Sequence, residues 1–177
     1  MNDAQLAIAL REAAFLEGDF TLRSGRKSKY YLDKYLFETR PDILRELAKR
    51  FAKHITPTMT RIAGPELGAV ALAAATSLET GLPFVIVRNA KKADYGTGKL
   101  IEGAFEPGDR VILVEDIATS GGQAIEAAKT LTAAGVTVEK VVVVIDREEG
   151  GVAAIADAGF PCDSLFTTTA LGVRKDG

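Results

Sequence analysis

Glu115 and Asp116 stand side by side after the apolar run Val111 to Val114, and Thr119, Ser120, Gly121 and Gly122 follow almost at once. Two adjacent carboxylates add nothing to the stability of a strand, so something outside the chain is expected to meet them. Glycines let a backbone approach a ligand closely, and Thr119 and Ser120 add hydroxyl donors. The first turn of a helix beginning near Gln123 would present unpaired N–H groups and a partial positive charge, which makes an anion site. Carboxylates beside a phosphate would repel it unless they face sugar hydroxyls or a magnesium ion. Phosphate, hydroxyls and metal together describe a phosphorylated sugar. The same residues also fit a plain tight turn with Thr119 as a helix cap. The stretch is not a Walker loop, because no Gly-Lys-Ser/Thr follows. GTGKLIEG (96–103) lacks the third glycine of a dinucleotide fingerprint.

Three other stretches carry candidate chemistry. FTLRSGRKSKYYLDKYLF (20–37) interleaves cations with tyrosines. It reads as an edge strand with solvated charge or as a strip on which RNA bases stack. Arg147 follows the apolar run VVVVID (141–146); its guanidinium could grip a planar carboxylate through two parallel hydrogen bonds, or simply be exposed at a strand end. Arg88, Lys91, Lys92 and Lys99, set against Asp94, make a cationic stretch that is either functional or a solvated basic loop. His54 is the only histidine. It falls near the end of a helix, where a cation is favoured, and a structural role is expected. No histidine-based catalysis or histidine metal cluster can then be built.

Around these residues the chain alternates strands and helices. Residues 4–16 carry helical spacing. Residues 19–37 read as extended, with a turn at Ser24–Gly25. Thr39 as cap, Pro41 in the first turn and Asp42 near the positive end predict a helix to 55, with Leu44, Leu47, Ala48, Phe51 and Ile55 on one stripe. Strands are expected near 60–63, 83–88, 109–115 and 139–146, with helices near 66–79 and 122–134. Gly81 and Gly135 fall where left-handed residues end helices, and VVVVID suits a parallel strand covered on both faces. The pattern is α/β, and such sheets bind ligands beyond the carboxyl ends of their strands, where Glu115 and Asp116 are expected.

The length, 177 residues, suits one domain. A net charge of −2 argues against a general nucleic-acid or membrane-surface binder. The lone Cys162 permits no intrachain disulfide and fits a reducing compartment. The opening MNDAQLAIALREAAF is broken by Arg11 and Glu12 and does not read as a signal peptide. No apolar run approaches the ~20 residues of a membrane span. A cytoplasmic protein is expected.

VILVEDIATSGGQ (111–123) resembles the signature of type I phosphoribosyltransferases: apolar strand, acid pair, then a Thr/Ser/Gly loop. Three further stretches resemble the orotate phosphoribosyltransferases in particular. These are the 20–37 segment, DREEGG (146–151) and VRNAKKADYGTGKLIEG (87–103). GPELGAVALAAAT (64–76) is similar to the family's pyrophosphate-side loop, with Gly68 where some members have lysine. Arg23 replaces a usual lysine, Asn89 a frequent cation and Tyr95 a frequent histidine. Ala93 occupies the expected lysine position, with Lys91 and Lys92 one or two places away.

The resemblance covers nearly the whole chain and implies a mainly parallel sheet flanked by helices. It implies a single domain over 1–177, with an N-terminal hood over 1–37 and a core over 38–177 that binds phosphoribosyl pyrophosphate (PRPP). It assigns PRPP to Arg23, Arg88, Lys91, Lys92, Glu115 and Asp116, and to the loop Ile117, Ala118, Thr119, Ser120, Gly121, Gly122 and Gln123. Orotate falls to Tyr30, Tyr31, Thr119 and Arg147, and catalysis to Arg88, Lys91, Lys92, Tyr95 and Asp116. Mg2+ is implied, held mainly through substrate oxygens and water. So is a homodimer whose catalytic loop serves the neighbouring subunit. The implied reaction displaces pyrophosphate from PRPP by orotate's ring nitrogen, giving orotidine 5-monophosphate for UMP biosynthesis. A purine phosphoribosyltransferase is a rival reading, opposed by Arg147 and the 20–33 segment. Others are a PRPP-sensing transcriptional regulator and a nucleotide-binding module without PRPP.

Overall fold

The computed structural model describes residues 1–21, 27–89 and 98–173. Helix α1 (Asp3–Ala14) starts in a reciprocal cap, with Asn2 and Gln5 each accepting from the other's backbone N–H. It buries Leu6, Leu10 and Ala14. Strands β1 (Phe15–Thr21) and β2 (Lys27–Leu32) pair antiparallel in a two-stranded ribbon separate from the main sheet. The turn expected at Ser24–Gly25 lies outside the described residues.

The segment after β2 departs from the expected extended run. Asp33 caps a short helix, α2 (Lys34–Glu38), by accepting from the Tyr35 N–H at 3.1 Å. Phe37 and Glu38 turn inward, while Tyr35 and Leu36 stay exposed. Thr39 ends α2 rather than capping the next helix, and its hydroxyl donates to the Tyr35 carbonyl at 2.6 Å. Helix α3 (Pro41–Ala52) begins at Pro41 as expected, but Arg40 is its N-cap and makes no side-chain cap bond. It ends three residues before Ile55, so His54 lies beyond the helix. Burial first and the Lys140 charge second lower its pKa, so it does not act as the cation favoured there.

The main sheet has six strands in the order β5-β4-β3-β6-β7-β8. They are β3 (Arg61–Pro65), β4 (Phe84–Val87), β5 (Ile101–Glu102), β6 (Arg110–Ala118), β7 (Thr137–Asp146) and β8 (Cys162–Thr167). All neighbours run parallel except β5, which pairs antiparallel with β4. Helices α4 (Gly68–Thr80), α5 (Gly122–Ala133) and α6 (Gly151–Asp157) complete the order. Gly81 and Gly135 take φ of 76° and 82°, the left-handed values expected past helix ends.

The sheet separates two apolar clusters. Ile112 and Val114 of β6 join α1, α2, α3 and α4 on one face. Val111 and Leu113 join α5 and α6 on the other. The alternation of a strand therefore places successive β6 residues in different surroundings. Val141 to Ile145 of β7 are fully buried, as a strand between two helical layers requires. The elements absent from the expected set are short: β5 has two residues, α2 five, β8 six and α6 seven. No described helix is long and apolar enough to cross a membrane.

Candidate active site

Strand β6 continues to Ala118, so Glu115 and Asp116 lie inside it, three and two residues before its end. Each is 3% exposed. Glu115 lines a cavity of about 970 Å3 beyond the carboxyl ends of β6 and β7. Its Oε1 accepts from the Asp116 N–H at 3.0 Å, while its buried Oε2 has no hydrogen-bond partner among the described residues. Burial, then the neighbouring Asp116 charge, pushes its carboxyl well above the usual range.

Asp116 turns toward α2 and α4. Its Oδ2 accepts from Lys34 Nζ at 2.7 Å and its Oδ1 from the Ile117 N–H at 2.6 Å. Glu38 completes this group. A Cβ added at Gly68 would come within 2.1 Å of Asp116 Oδ2 and 2.7 Å of Glu38 Oε1. A side chain at residue 68 would therefore have to displace one or both carboxylates from their place over the start of α4. Burial, then the charge on Asp116, raises the Glu38 carboxyl to about 8. At Lys34 burial opposes the charged form, but Asp116 outweighs it and the pKa rises. Asp116 therefore has structural partners that its bare position in the sequence does not reveal.

The loop Ile117 to Gln123 lines the cavity from its floor to the start of α5. Gly121 is the N-cap at φ 75°, and no side chain caps the helix. A Cβ there would meet the Gly151 carbonyl oxygen at 2.6 Å, so glycine is required by backbone angle and by space alike. Thr119 is not the cap, which removes the helix-cap reading of that residue. The first-turn N–H groups of α5 are left uncapped beside the Thr119 and Ser120 hydroxyls, a suitable seat for phosphate. Gln123 contributes differently: its Nε2 donates to the Glu66 carbonyl at 2.8 Å and ties this loop to the 64–68 turn.

The opposite wall comes from the ribbon and from the end of β7. Tyr31 lines the cavity and is 43% exposed. Tyr30 stacks on Phe15 with ring centroids 5.5 Å apart. Arg147 lines the cavity, and its guanidinium lies 5.7 Å from the Tyr30 ring centroid. Its Nη2 donates a long bond, 3.5 Å, to the Tyr30 hydroxyl. Its Nε is 3.1 Å from Glu149 Oε1 as an ion pair, out of line for a hydrogen bond.

The structure thus brings together Glu115, Ile117 to Gln123, Tyr31 and Arg147, with Tyr30 behind Arg147. Asp116 sits on the far side of β6. Arg88 is not among the residues lining this cavity; its Nη1 pairs with Glu102 Oε1 at 3.4 Å and its N–H donates to the Leu100 carbonyl. Arg23, Lys91, Lys92 and Tyr95 lie outside the described residues. Sequence reasoning missed Lys34, Glu38, Thr21 and Glu149. For the first two a signal exists: Asp33 can cap a helix, and Lys34 and Glu38 then fall four residues apart on one face. Cys162 is half-buried, and burial first holds its thiol up at about 11, so it is no nucleophile at neutral pH.

No three His, Cys, Asp or Glu side chains group to hold a metal among the described residues. The cavity does offer the unpartnered Glu115 Oε2, which suits a ligand hydroxyl or an ion already carried by ligand oxygens.

Residues 37–161 match the family model described as phosphoribosyl transferase domain. The chain is 47% identical over 172 residues to the orotate phosphoribosyltransferase of Natronomonas pharaonis, covering 97% of this chain and 98% of that one. It is 45% identical to that of Methanocella arvoryzae, with 96% and 97% covered. Among solved structures, orotate phosphoribosyltransferase from Mycobacterium tuberculosis H37Rv superposes with a TM-score of 0.84 at 30% identity, covering 97% and 99% of the two chains. The complex of that enzyme with 5-phospho-alpha-D-ribosyl 1-diphosphate gives 0.81 at 28% identity, with the same coverage. The sheet, the loop beyond β6 and these likenesses agree, and the chain belongs to the orotate phosphoribosyltransferase family.

Proposed function

We propose that this enzyme transfers the 5-phosphoribosyl group from PRPP to orotate, releasing pyrophosphate and forming orotidine 5-monophosphate in pyrimidine biosynthesis. The observation that carries the reading is the pairing of two unlike walls in one cavity. An uncapped helix start with hydroxyls and a buried carboxylate faces an arginine set among tyrosines. The first wall suits the phosphate and hydroxyls of the sugar, the second a planar anion.

Thr119 to Gly122 hold the 5-phosphate, and Glu115 accepts a ribose hydroxyl through Oε2. Asp116, held by Lys34 on the α4 side of β6, backs the sugar site from outside the cavity lining. Arg147 receives the orotate carboxylate, with Tyr30 and Tyr31 covering the ring. Positive charge develops on the sugar as the anomeric bond to pyrophosphate breaks, and orotate's nitrogen forms the new bond. The protein's part is placement and stabilisation of separating charge. Arg88, Lys91, Lys92 and Arg23 neutralise the departing pyrophosphate, and Tyr95 supplies a phenol donor. Glu115 would stand beside Mg2+ held mainly through substrate oxygens and water, and the ion would supply charge that makes pyrophosphate a better leaving group. Residues 1–37 act as a hood on a single domain. The enzyme is a cytoplasmic homodimer in which each subunit's 89–103 loop serves its neighbour.

The direct test mixes protein, magnesium, PRPP and a panel of bases. Loss of orotate absorbance with no turnover of purines supports the assignment. Turnover of a purine, or PRPP binding without turnover, would replace it with a purine enzyme or a PRPP sensor. Arg147→Ala is expected to raise the KM for orotate roughly tenfold to a hundredfold, since a charge-assisted bond is worth ~1.5–3 kcal/mol, with little change for PRPP. Loop sharing is checked by exchanging subunits between a Lys91→Ala/Lys92→Ala protein and an Asp116→Asn protein. Activity absent from both parents should reappear in the mixture.

A further inference from the structure

The residue after Arg147 has an unusual backbone. Glu148 takes φ 56°, and it is the non-glycine residue with positive φ among the described residues. That conformation is strained for a glutamate and persists only where its surroundings over-determine it. The surroundings here are specific. Glu148 Oε2 accepts from the Thr168 hydroxyl at 2.7 Å, the Thr169 N–H at 2.8 Å and the Thr169 hydroxyl at 2.7 Å. Its own N–H donates to Asp146 Oδ1 at 2.8 Å. The Thr168 N–H donates to the Asp146 carbonyl at 3.0 Å, and the Thr168 hydroxyl lies 3.3 Å from the Arg147 carbonyl. On the other side the Arg147 N–H donates to the Ala118 carbonyl at 3.0 Å. The turn after β8 and the last residue of β6 therefore hold the Arg147 backbone from both sides.

We propose that Glu148 is a positioning residue for base recognition: its carboxylate, clamped by Thr168 and Thr169, holds the left-handed turn that aims Arg147 across the cavity beneath Tyr30. The proposal rests on the reading of Arg147 as the orotate anchor. A side chain pointing away from the ligand thereby governs one substrate and not the other. Without the clamp, residue 148 relaxes to negative φ. The peptide planes beside it rotate, and the guanidinium leaves its place between Tyr30 and Glu149. The phosphate loop is built on β6 and α5 and should not follow.

The test measures KM for orotate and for PRPP separately, with kcat and thermal unfolding, in Glu148→Ala, Glu148→Gln, Thr169→Val and Arg147→Ala. Glu148→Ala should raise the orotate KM roughly tenfold while the PRPP KM stays within about twofold. Glu148→Gln keeps an acceptor and should recover most of that loss. Thr169→Val should weaken orotate binding less, and should add little when combined with Glu148→Ala, because both break one clamp. An unchanged orotate KM in Glu148→Ala, while Arg147→Ala raises it, overturns the clamp and spares the anchor. Equal rises in both KM values with a lowered Tm also overturn it, because they mark general loosening. An unchanged orotate KM in Arg147→Ala overturns the anchor reading, and the clamp with it.

Discussion

Glu115 and Asp116 are adjacent, equally buried and both carboxylic acids, yet they occupy unlike surroundings. Strand alternation sends Glu115 to the cavity, where one oxygen has no partner. It sends Asp116 to the α2–α4 side, where Lys34, Glu38 and bare Gly68 surround it. The difference teaches that an acid pair read as one motif contains two separable devices. Glu115 is exposed to the ligand and electrostatically uncomfortable when empty. Asp116 is already compensated and forms part of the fold.

The largest effect should come from breaking the compensated side. Asp116→Asn removes a carboxylate from the site and strands Lys34. Truncating one partner of a fully buried ion pair costs ~3–5 kcal/mol. The Lys34 side chain is 26% exposed, so a loss of about 2–3 kcal/mol is expected, together with at least a roughly hundredfold fall in turnover, the upper end of a lost charge-assisted contact. Denaturant unfolding and steady-state rates measure the two separately. A variant with unaltered stability would show that the Lys34 contact carries no weight.

Glu115→Gln should invert that pattern. The amide resembles the protonated acid that burial already favours, so stability should hold or rise, while turnover falls by about tenfold through the lost acceptor charge. Should both acids respond alike in stability, the two-device description fails. Lys34→Met should sit below both in turnover, with a several-fold fall in kcat as Asp116 loses its orientation, and should lose about 1–2 kcal/mol of stability, consistent with a partly screened pair. Lys34→Arg should restore much of it. If only Lys34→Arg and not Lys34→Met were impaired, packing rather than charge would be the function of residue 34.

These asymmetries were only half legible in the sequence. The four strands β3, β4, β6 and β7, the helices α3, α4 and α5 and the loop at 117–123 follow from apolar runs and from turn residues whose chemistry is local, whereas the edge strands β5 and β8 do not. The opposite orientation of Glu115 and Asp116 is also readable, since it needs only the period of a strand. Their partners are not. Lys34 and Glu38 meet Asp116 across some eighty residues of chain, and they sit on a five-residue helix too short to show a periodic stripe. Gly68 looks like a missing lysine in sequence; in space it is the clearance for two carboxylates. Glu148 could not be found either, because a left-handed glutamate has no sequence signature until Thr168 and Thr169 are seen beside it. Local chemistry carried the phosphate side, and long-range packing concealed what supports it.

The smallest expected effect on turnover is also the most specific to the Asp116 side, and it is one of pH. Glu38 has a carboxyl raised from 4.5 to about 8, by burial first and then by the charge on Asp116. Below 4.5 the group is protonated in folded and unfolded chains alike, and it contributes no pH dependence. Between 4.5 and about 8 the unfolded chain releases the proton while the folded chain keeps it. Stability then falls with rising pH, because the unfolded state binds fewer protons. Above about 8 both states are ionised, and the penalty is complete and constant. Glu38→Gln cannot ionise, so it removes this slope: its unfolding free energy should match that of the parent near pH 4.5 and exceed it increasingly toward pH 8. Glu115→Gln should show a rise of the same sign, since burial raises that acid too. Only Glu38→Gln, however, should do so with the cavity's ligand-facing carboxylate intact and turnover near that of the parent. Parallel stability curves for Glu38→Gln and the parent from pH 4.5 to 8 would mean that Lys34 holds Glu38 ionised throughout, and that the α2–α4 side is a fully charged network rather than one sharing a proton.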